Sequence, residues 1–180
     1  MLMNNIQYFV GISLPRNYAF RVIEFQRKWV KNILPNVVEP HITVKSQAGL
    51  SEDMKWIQEV TEICGTFSTF ELSLMGINTF GDSVVFLGVE CSKIYQLHRR
   101  LVNAISPDLH ESEKYFELDL YVPHLTLGTT EFGMNEVEIR DMRESALNTF
   151  TEPYTFTVSH LSIYESRHGS YMPIHKLKLA

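Results

Sequence analysis

Two spacings of apolar residues alternate along the chain. Ile6 to Leu14, IQYFVGISL, is a dense aromatic and β-branched run closed by Pro15, which predicts a strand. From Arg16 to Leu34, Tyr18, Val22, Phe25, Trp29 and Ile33 recur at steps of three and four, the spacing of one helix face, until Pro35-Asn36 stops the run. A short strand, PHITV, follows. Ser51, backed by Glu52 and Asp53, predicts the N-cap of a second helix reaching Cys64, because carboxylates favour the positive end of a helix. The runs FELSLMGINTF and SVVFLGVEC, with Gly81-Asp82-Ser83 between them, predict a hairpin. Ser92 then caps a third helix on Ile94, Leu97, Leu101 and Ile105, which Pro107 ends.

From Ser106 to Tyr121 the chain turns acidic and irregular, with Asp108, Glu111, Glu113, Glu117 and Asp119, and reads as a solvated loop. A second short strand, PHLTL, comes next. A fourth helix is predicted from Asn135 to Asn148 on Ile139, Met142 and Ala146, and two closing strands, YTFTVSHLSIYE and YMPIHKLKL, are joined by SRHGS. Each half therefore offers a strand, a helix, a Pro-His-apolar-Thr-apolar strand, a helix and further strands. Two copies about 80 residues apart are too few for a solenoid. Two similar lobes facing each other within one domain, residues 1–180, is the economical arrangement.

The repeated pentapeptide carries the chemistry. Side chains alternate along a strand, so His41 and Thr43 share one face while Ile42 and Val44 anchor the other; His124 and Thr126, with Leu125 and Leu127, repeat this 83 positions later (124 minus 41). The proline before each histidine suits the start of a strand, where its missing N–H costs no ladder bond. Imidazole titrates near neutrality, so one histidine can accept a proton while another in the same cleft donates one. A threonine hydroxyl can hold a phosphoryl oxygen. One such motif alone would carry little weight. A single prespecified copy occurs by chance on the order of once per several thousand chains, and two copies point to a site.

Composition narrows the ligand. The net charge is −5 with no run of lysine or arginine, which argues against gripping long duplexes and for a small anion or a nucleic-acid end. Apolar stretches are strand-length, far short of the roughly 20 residues that cross a bilayer. The opening MLMNNIQ has no basic region followed by an apolar run, so no signal peptide is expected and the cytoplasm is the default location. Cys64 and Cys91 lack CxxC spacing and read as buried free thiols. His98, His110, His160 and His175 have no repeated partner and read as structural or exposed. The oligomeric state cannot be read from the sequence.

PHITV and PHLTL, in the two halves of a chain of this length, resemble the paired HxTx motifs of the two-histidine (2H) phosphoesterase superfamily, which includes 2′-5′ RNA ligase-like proteins and cyclic phosphodiesterases. The likeness extends to the opening strand and to the closing LSIYESRHGSYMPIHKLKL. It implies a bilobal α+β fold, two pseudo-symmetric lobes of mainly antiparallel sheet with helices outside and a central cleft. It also implies His41 and His124 as the acid–base pair, Thr43 and Thr126 as oxygen clamps, and no metal or other cofactor. The implied substrate is a nucleotide 2′,3′-cyclic phosphate or an RNA end, with RNA joining as the reverse reaction.

The two copies differ afterwards. Continued alternation puts Lys45 on the cleft face beyond Thr43, where the second copy has Gly128. Lys45 is therefore expected to bind a substrate phosphate, helped by Arg167 in the closing loop, with Tyr171 available to stack on a base. Two alternatives stay open. A metal hydrolase would use the histidines as ligands, although neither has an HxH, HExxH or DxD arrangement beside it. A binding module would hold an RNA end or cyclic nucleotide without turnover.

Overall fold

A computed structural model of the protein describes residues 6–105 and 107–180. The signal-peptide expectation rests mainly on residues 1–5, and the acidic segment opens at Ser106; both fall outside the described residues. The strands are β1 (Tyr8–Ser13), β2 (His41–Lys45), β3 (Phe70–Phe80), β4 (Val84–Glu90), β5 (His124–Thr129), β6 (Tyr154–Val158), β7 (His160–Arg167) and β8 (Ser170–Lys178). The helices are α1 (Arg16–Gln26), α2 (Leu34–Val37), α3 (Ile57–Thr66), α4 (Ser92–Ile105), α5 (Leu109–Lys114) and α6 (Glu136–Thr149).

The strands form two four-stranded antiparallel sheets, one ordered β2-β1-β7-β8 and the other β5-β4-β3-β6. The α+β architecture of two similar lobes follows the expectation, and each motif strand is the edge strand of its sheet. Ile42, Val44, Leu125 and Leu127 are fully buried in one hydrophobic core that runs through both sheets and takes in α1, α3, α4 and α6. Burying one face of each motif strand decides its register, because a slip of one residue would send His41 or His124 inward.

Several local expectations need correction. The helix expected over Arg16–Leu34 ends at Gln26: Tyr18, Val22 and Phe25 are buried, but Ile33 is 47% exposed, and Leu34 begins the separate helix α2 with Pro35 near its start. Asn32 explains the stop, since its buried side-chain amide donates to Gln26 O and to Leu127 O in β5. The expected cap Ser51 instead donates to Asp53, and α3 begins six residues later at Ile57. The run Tyr154–Glu165 is two strands, β6 and β7, that separate at Ser159 and join different sheets. The helix expected from Asn135 does form, with Asn135 and Glu138 exchanging the reciprocal bonds of a capping box. Both cysteines are free thiols, but only Cys64 is buried, and burial pushes its thiol up to about 11.

The acidic segment is not simply a solvated loop. It contains α5 and a 3-10 turn over Leu118–Leu120, and Glu117 within it is 2% exposed, its Oε1 lying 2.6 Å from Lys45 Nζ. The backbone adopts positive φ at Phe116 (54°) and Leu118 (57°), on either side of that carboxylate. Among the described residues no helix is long and apolar enough to cross a membrane.

Candidate active site

β2 and β5 approach each other, and between the two sheets lies a cleft of about 360 Å³ lined by His41, Thr43, His124 and Thr126. The four motif side chains thus meet in one cavity, each half-buried, while the residues alternating with them hold the core.

The two histidines are held alike. His41 Nδ1 lies 2.8 Å from Glu39 O and His124 Nδ1 lies 2.7 Å from Val122 O, in both cases the carbonyl two residues back across the proline. A carbonyl only accepts, so each Nδ1 must be the N–H donor, and each neutral ring keeps its lone pair on Nε2. His41 packs against Phe9, ring centroids 4.7 Å apart, and His124 against Phe80 at 5.1 Å and Phe86 at 5.0 Å. Burial lowers the pKa of both imidazoles. The carbonyl bond opposes this at each, and at His41 the like charge of a protonated His124 lowers it further.

The similarity continues into the backbone. Val10 and Gly11 on β1 pair with Lys45 and Thr43, leaving Val44 as the extra residue of a β-bulge; Val85 and Phe86 on β4 pair with Gly128 and Thr126, leaving Leu127. A bulge breaks the alternation of side chains, and here it turns the residue after it inward. Lys45 is consequently 0% exposed and does not line the cleft, which corrects its expected role on a substrate phosphate. Its ammonium donates to Glu117 and to the carbonyls of Ser46 and Ala48. Burial pulls the Lys45 pKa down and the Glu117 pKa up, each opposed by the charge of the other. At Gly128 an added Cβ would sit 2.6 Å from Met142 Sδ and 2.7 Å from Met134 Sδ, so this position also faces the core.

Each bulge is held from outside the sheet by two side chains. On β2, Tyr121 donates its hydroxyl to Thr43 O (2.8 Å) and His98 Nδ1 donates to Val44 O (2.6 Å). On β5, Gln26 Nε2 donates to Thr126 O (3.2 Å) and Asn32 Nδ2 donates to Leu127 O (3.1 Å). The supports are crossed: α1, which follows β1, holds the strand of the other sheet, and α4, which follows β4, holds β2. His98 is therefore structural, as read from sequence. Its Nε2 accepts from Leu118 N–H (2.8 Å), its ring stacks on Tyr121 at 3.8 Å, and burial lowers its pKa to about 4.

Arg167 is also absent from the cleft lining; its side chain is 60% exposed and pairs with Glu165. Tyr171 does line the cleft, donating to Gln7 Oε1 (2.7 Å) and accepting from Gln47 (3.1 Å). Among the described residues no lysine or arginine lines the cavity, whereas Glu39 and Glu131 do. Glu39 is tethered, its Oε1 accepting from Ser13 (3.0 Å) and Tyr164 (2.6 Å), which steadies the carbonyl that orients His41. Beyond His41, Phe9, Leu34, Val38, Phe132 and Tyr171 form an apolar, partly aromatic wall. Among the described residues no three His, Cys, Asp or Glu side chains are grouped to hold a metal ion.

Gln26, Asn32 and Tyr121 were not singled out from the sequence. Gln26 had a signal: it falls four residues after Val22 and eight after Tyr18, a polar residue on the stripe expected to be buried.

Comparison with known proteins agrees with this fold. An RNA 2′,3′-cyclic phosphodiesterase of Methanocaldococcus jannaschii is 25% identical over 179 residues, covering 96% of this chain and 98% of that protein. A crystal structure from Thermus thermophilus superposes with a TM-score of 0.67 at 17% identity, covering 96% of this chain and 97% of its own. Escherichia coli LigT, crystallised with 3′-AMP, gives a TM-score of 0.64 at 16% identity over 98% and 99% of the two chains. Residues 22–170 match the profile of the 2′-5′ RNA ligase superfamily. The chain belongs to that superfamily of two-histidine phosphoesterases.

Proposed function

We propose that the cleft opens a 2′,3′-cyclic phosphodiester at the end of an RNA or on a nucleotide, in the cytoplasm, with the two histidines as general base and general acid. The observation that carries this reading is the pair of imidazoles that line one cavity, each with Nδ1 taken by the same carbonyl bond, which leaves Nε2 for the substrate. The neutral ring takes a proton from water as its oxygen attacks phosphorus. The protonated ring gives its Nε2 proton to the ribose oxygen as the P–O bond breaks. Thr43 and Thr126 donate their hydroxyls to the non-bridging oxygens, where negative charge builds in the transition state. Run backwards with a ribose hydroxyl as nucleophile, the same groups join RNA ends.

The substrate assignment is supported by the name of the archaeal relative and by the apolar wall beside His41, which offers a nucleobase a flat surface to stack on. A net charge of −5 and a lining that, among the described residues, has no lysine or arginine favour a single phosphate over a long duplex. The threonines beside the histidines, poor metal ligands, favour acid–base work by the protein alone. The test is a panel of 2′,3′-cyclic, 2′-5′-linked and other cyclic phosphates given to wild type, His41→Ala and His124→Ala, with and without EDTA. Turnover lost in both variants and unaffected by EDTA is expected. Equal turnover in either variant and wild type would end the paired-histidine mechanism, and binding without turnover across the panel would replace catalysis by capture.

A further inference from the structure

The acidic segment before β5 brings an aromatic ring into the cleft lining and an ammonium group onto that ring. Tyr115, the residue after α5, lines the cavity and is half-buried. The exposed Lys114 holds its Nζ 5.1 Å from the centre of the Tyr115 ring. Among the described residues no other ring packs on Tyr115 and Lys114 forms no ion pair. Asp108, Glu111, Glu117 and Asp119 of the same segment are engaged elsewhere: with Glu111 N–H (2.7 Å), Gly49 N–H (3.2 Å), Lys45 and Arg99 (2.6 Å). Glu113 is the acid left beside Lys114 without a described partner.

The ring is placed against strain. Phe116 and Leu118, with φ of 54° and 57°, sit in the left-handed region that side chains disfavour. Three bonds pin the turn between them. Glu117 accepts from Lys45 Nζ (2.6 Å) and from Ser46 N–H (3.0 Å), and Leu118 N–H donates to His98 Nε2 (2.8 Å). Strain maintained by buried anchors beside a cleft points to a function for the residue it positions.

We propose that Tyr115 and Lys114 hold the nucleotide that precedes the cyclic end of an RNA, the ring taking its base and the ammonium its phosphodiester, a role that rests on the cyclic-phosphodiester reading above. On that reading the cyclic phosphate is met by the two histidines and two threonines. The terminal base is met by the apolar wall beside His41, of which Tyr115 is no part. A cyclic mononucleotide then has nothing left for a further ring and a further cation. An RNA end has both, because the preceding nucleotide brings a second π-face and a charged linkage. An aromatic surface with a cation beside it is what binds single strands without reading their sequence. The cavity itself takes one phosphate, and Lys114 stands behind its lining to meet the next. The pair therefore selects an RNA end over a free cyclic nucleotide.

The experiment compares kcat/KM for a dinucleotide ending in a 2′,3′-cyclic phosphate with kcat/KM for the cyclic mononucleotide of the same terminal base. Wild type is expected to favour the dinucleotide. Tyr115→Ala is expected to lower this ratio by about tenfold, the worth of one base stacked on an aromatic ring. Tyr115→Phe keeps the ring and is expected to keep the ratio. Lys114→Gln is expected to lower it by about threefold, as loss of an exposed charge pair would, and to flatten its fall with added salt. A dinucleotide with an uncharged methylphosphonate linkage should be indifferent to Lys114→Gln. Lys93→Gln removes the same charge from the start of α4 and is expected to leave the ratio alone. Both substrates are read on one preparation of each variant, so a reduced folded fraction does not move the ratio. An unchanged ratio in Tyr115→Ala or in Lys114→Gln would overturn the proposal, as would a wild type without preference for the dinucleotide. Wild type turning over neither substrate would instead remove the underlying reading of the site.

Discussion

The two motif strands carry the same apparatus on different supports. His-apolar-Thr, the bulge after threonine and the pair of outer donors recur in β2 and β5. What differs is behind them: a phenol, an imidazole and a buried lysine–glutamate pair behind β2, and two amides and two methionine sulfurs behind β5. The backbone geometry is alike in both lobes, while the groups that maintain it differ. The supports behind β2 titrate and those behind β5 do not.

That contrast can be broken at several points. The largest effect is expected where the lobes are most alike: His41→Ala and His124→Ala should each lower turnover by about 10²–10⁴-fold, the usual worth of a general acid or base, measured by steady-state kinetics. Both imidazoles are lowered by burial. The base works only neutral and fails as pH falls through its pKa, and the acid works only protonated and fails as pH rises through its own. The maximum of kcat/KM for the free enzyme is therefore expected on the acid side of the ordinary imidazole value, about 6.5.

The next effect separates the lobes. Lys45→Met strands the carboxylate of Glu117 in the core and is expected to cost about 3–5 kcal/mol of stability in denaturant unfolding. At the equivalent place Gly128→Ala should cost about 1–3 kcal/mol through crowding against the methionine sulfurs. Lys45→Met combined with Glu117→Leu should recover most of the first loss, because burying an unpaired charge is what destabilises. Recovery of nothing would mean that the lysine acts other than through that carboxylate.

A third effect belongs to β2. His98 has a folded pKa of about 4 against an unfolded value near 6.5, so its stability is fully present above 6.5 and is lost as pH falls towards 4. The loss should approach about 3 kcal/mol, since protonation places a second donor against Leu118 N–H. A melting temperature that follows the same acid slope in wild type and in His98→Gln would remove this account. The smallest effect is expected from Tyr121→Phe, about 1–2 kcal/mol for the bond to Thr43 O, with a matching loss from Asn32→Ala on β5.

The motif strands, the hairpin and α6 were readable because each declares itself locally, by alternation, turn residues or a cap. His41, Thr43, His124 and Thr126 were readable because the pattern occurs twice. What failed was non-local. Helix α1 ends early because Asn32 is drawn to a carbonyl on β5, 95 positions away, and helical spacing alone cannot register that pull. Lys45 was misplaced because strict alternation was carried through a bulge, and a bulge is decided by pairing with β1 rather than by the strand's own residues. Glu117 was hidden in an acidic run because its partner lies 72 positions away.

The break at Ser159 bears on the order in which the site can be made. The sheet holding His124 is assembled from residues 70–158 and is complete in one continuous stretch of chain. The sheet holding His41 takes its first two strands from the beginning of the chain and its last two from the end. As the protein leaves the ribosome, β1 and β2 emerge first but must wait for β7 and β8, and with them for Tyr164, whose hydroxyl steadies Glu39, the residue whose carbonyl orients His41. The histidine that is synthesised first therefore belongs to the sheet that is completed last, and the proposed acid–base pair is complete only once the closing strands have docked.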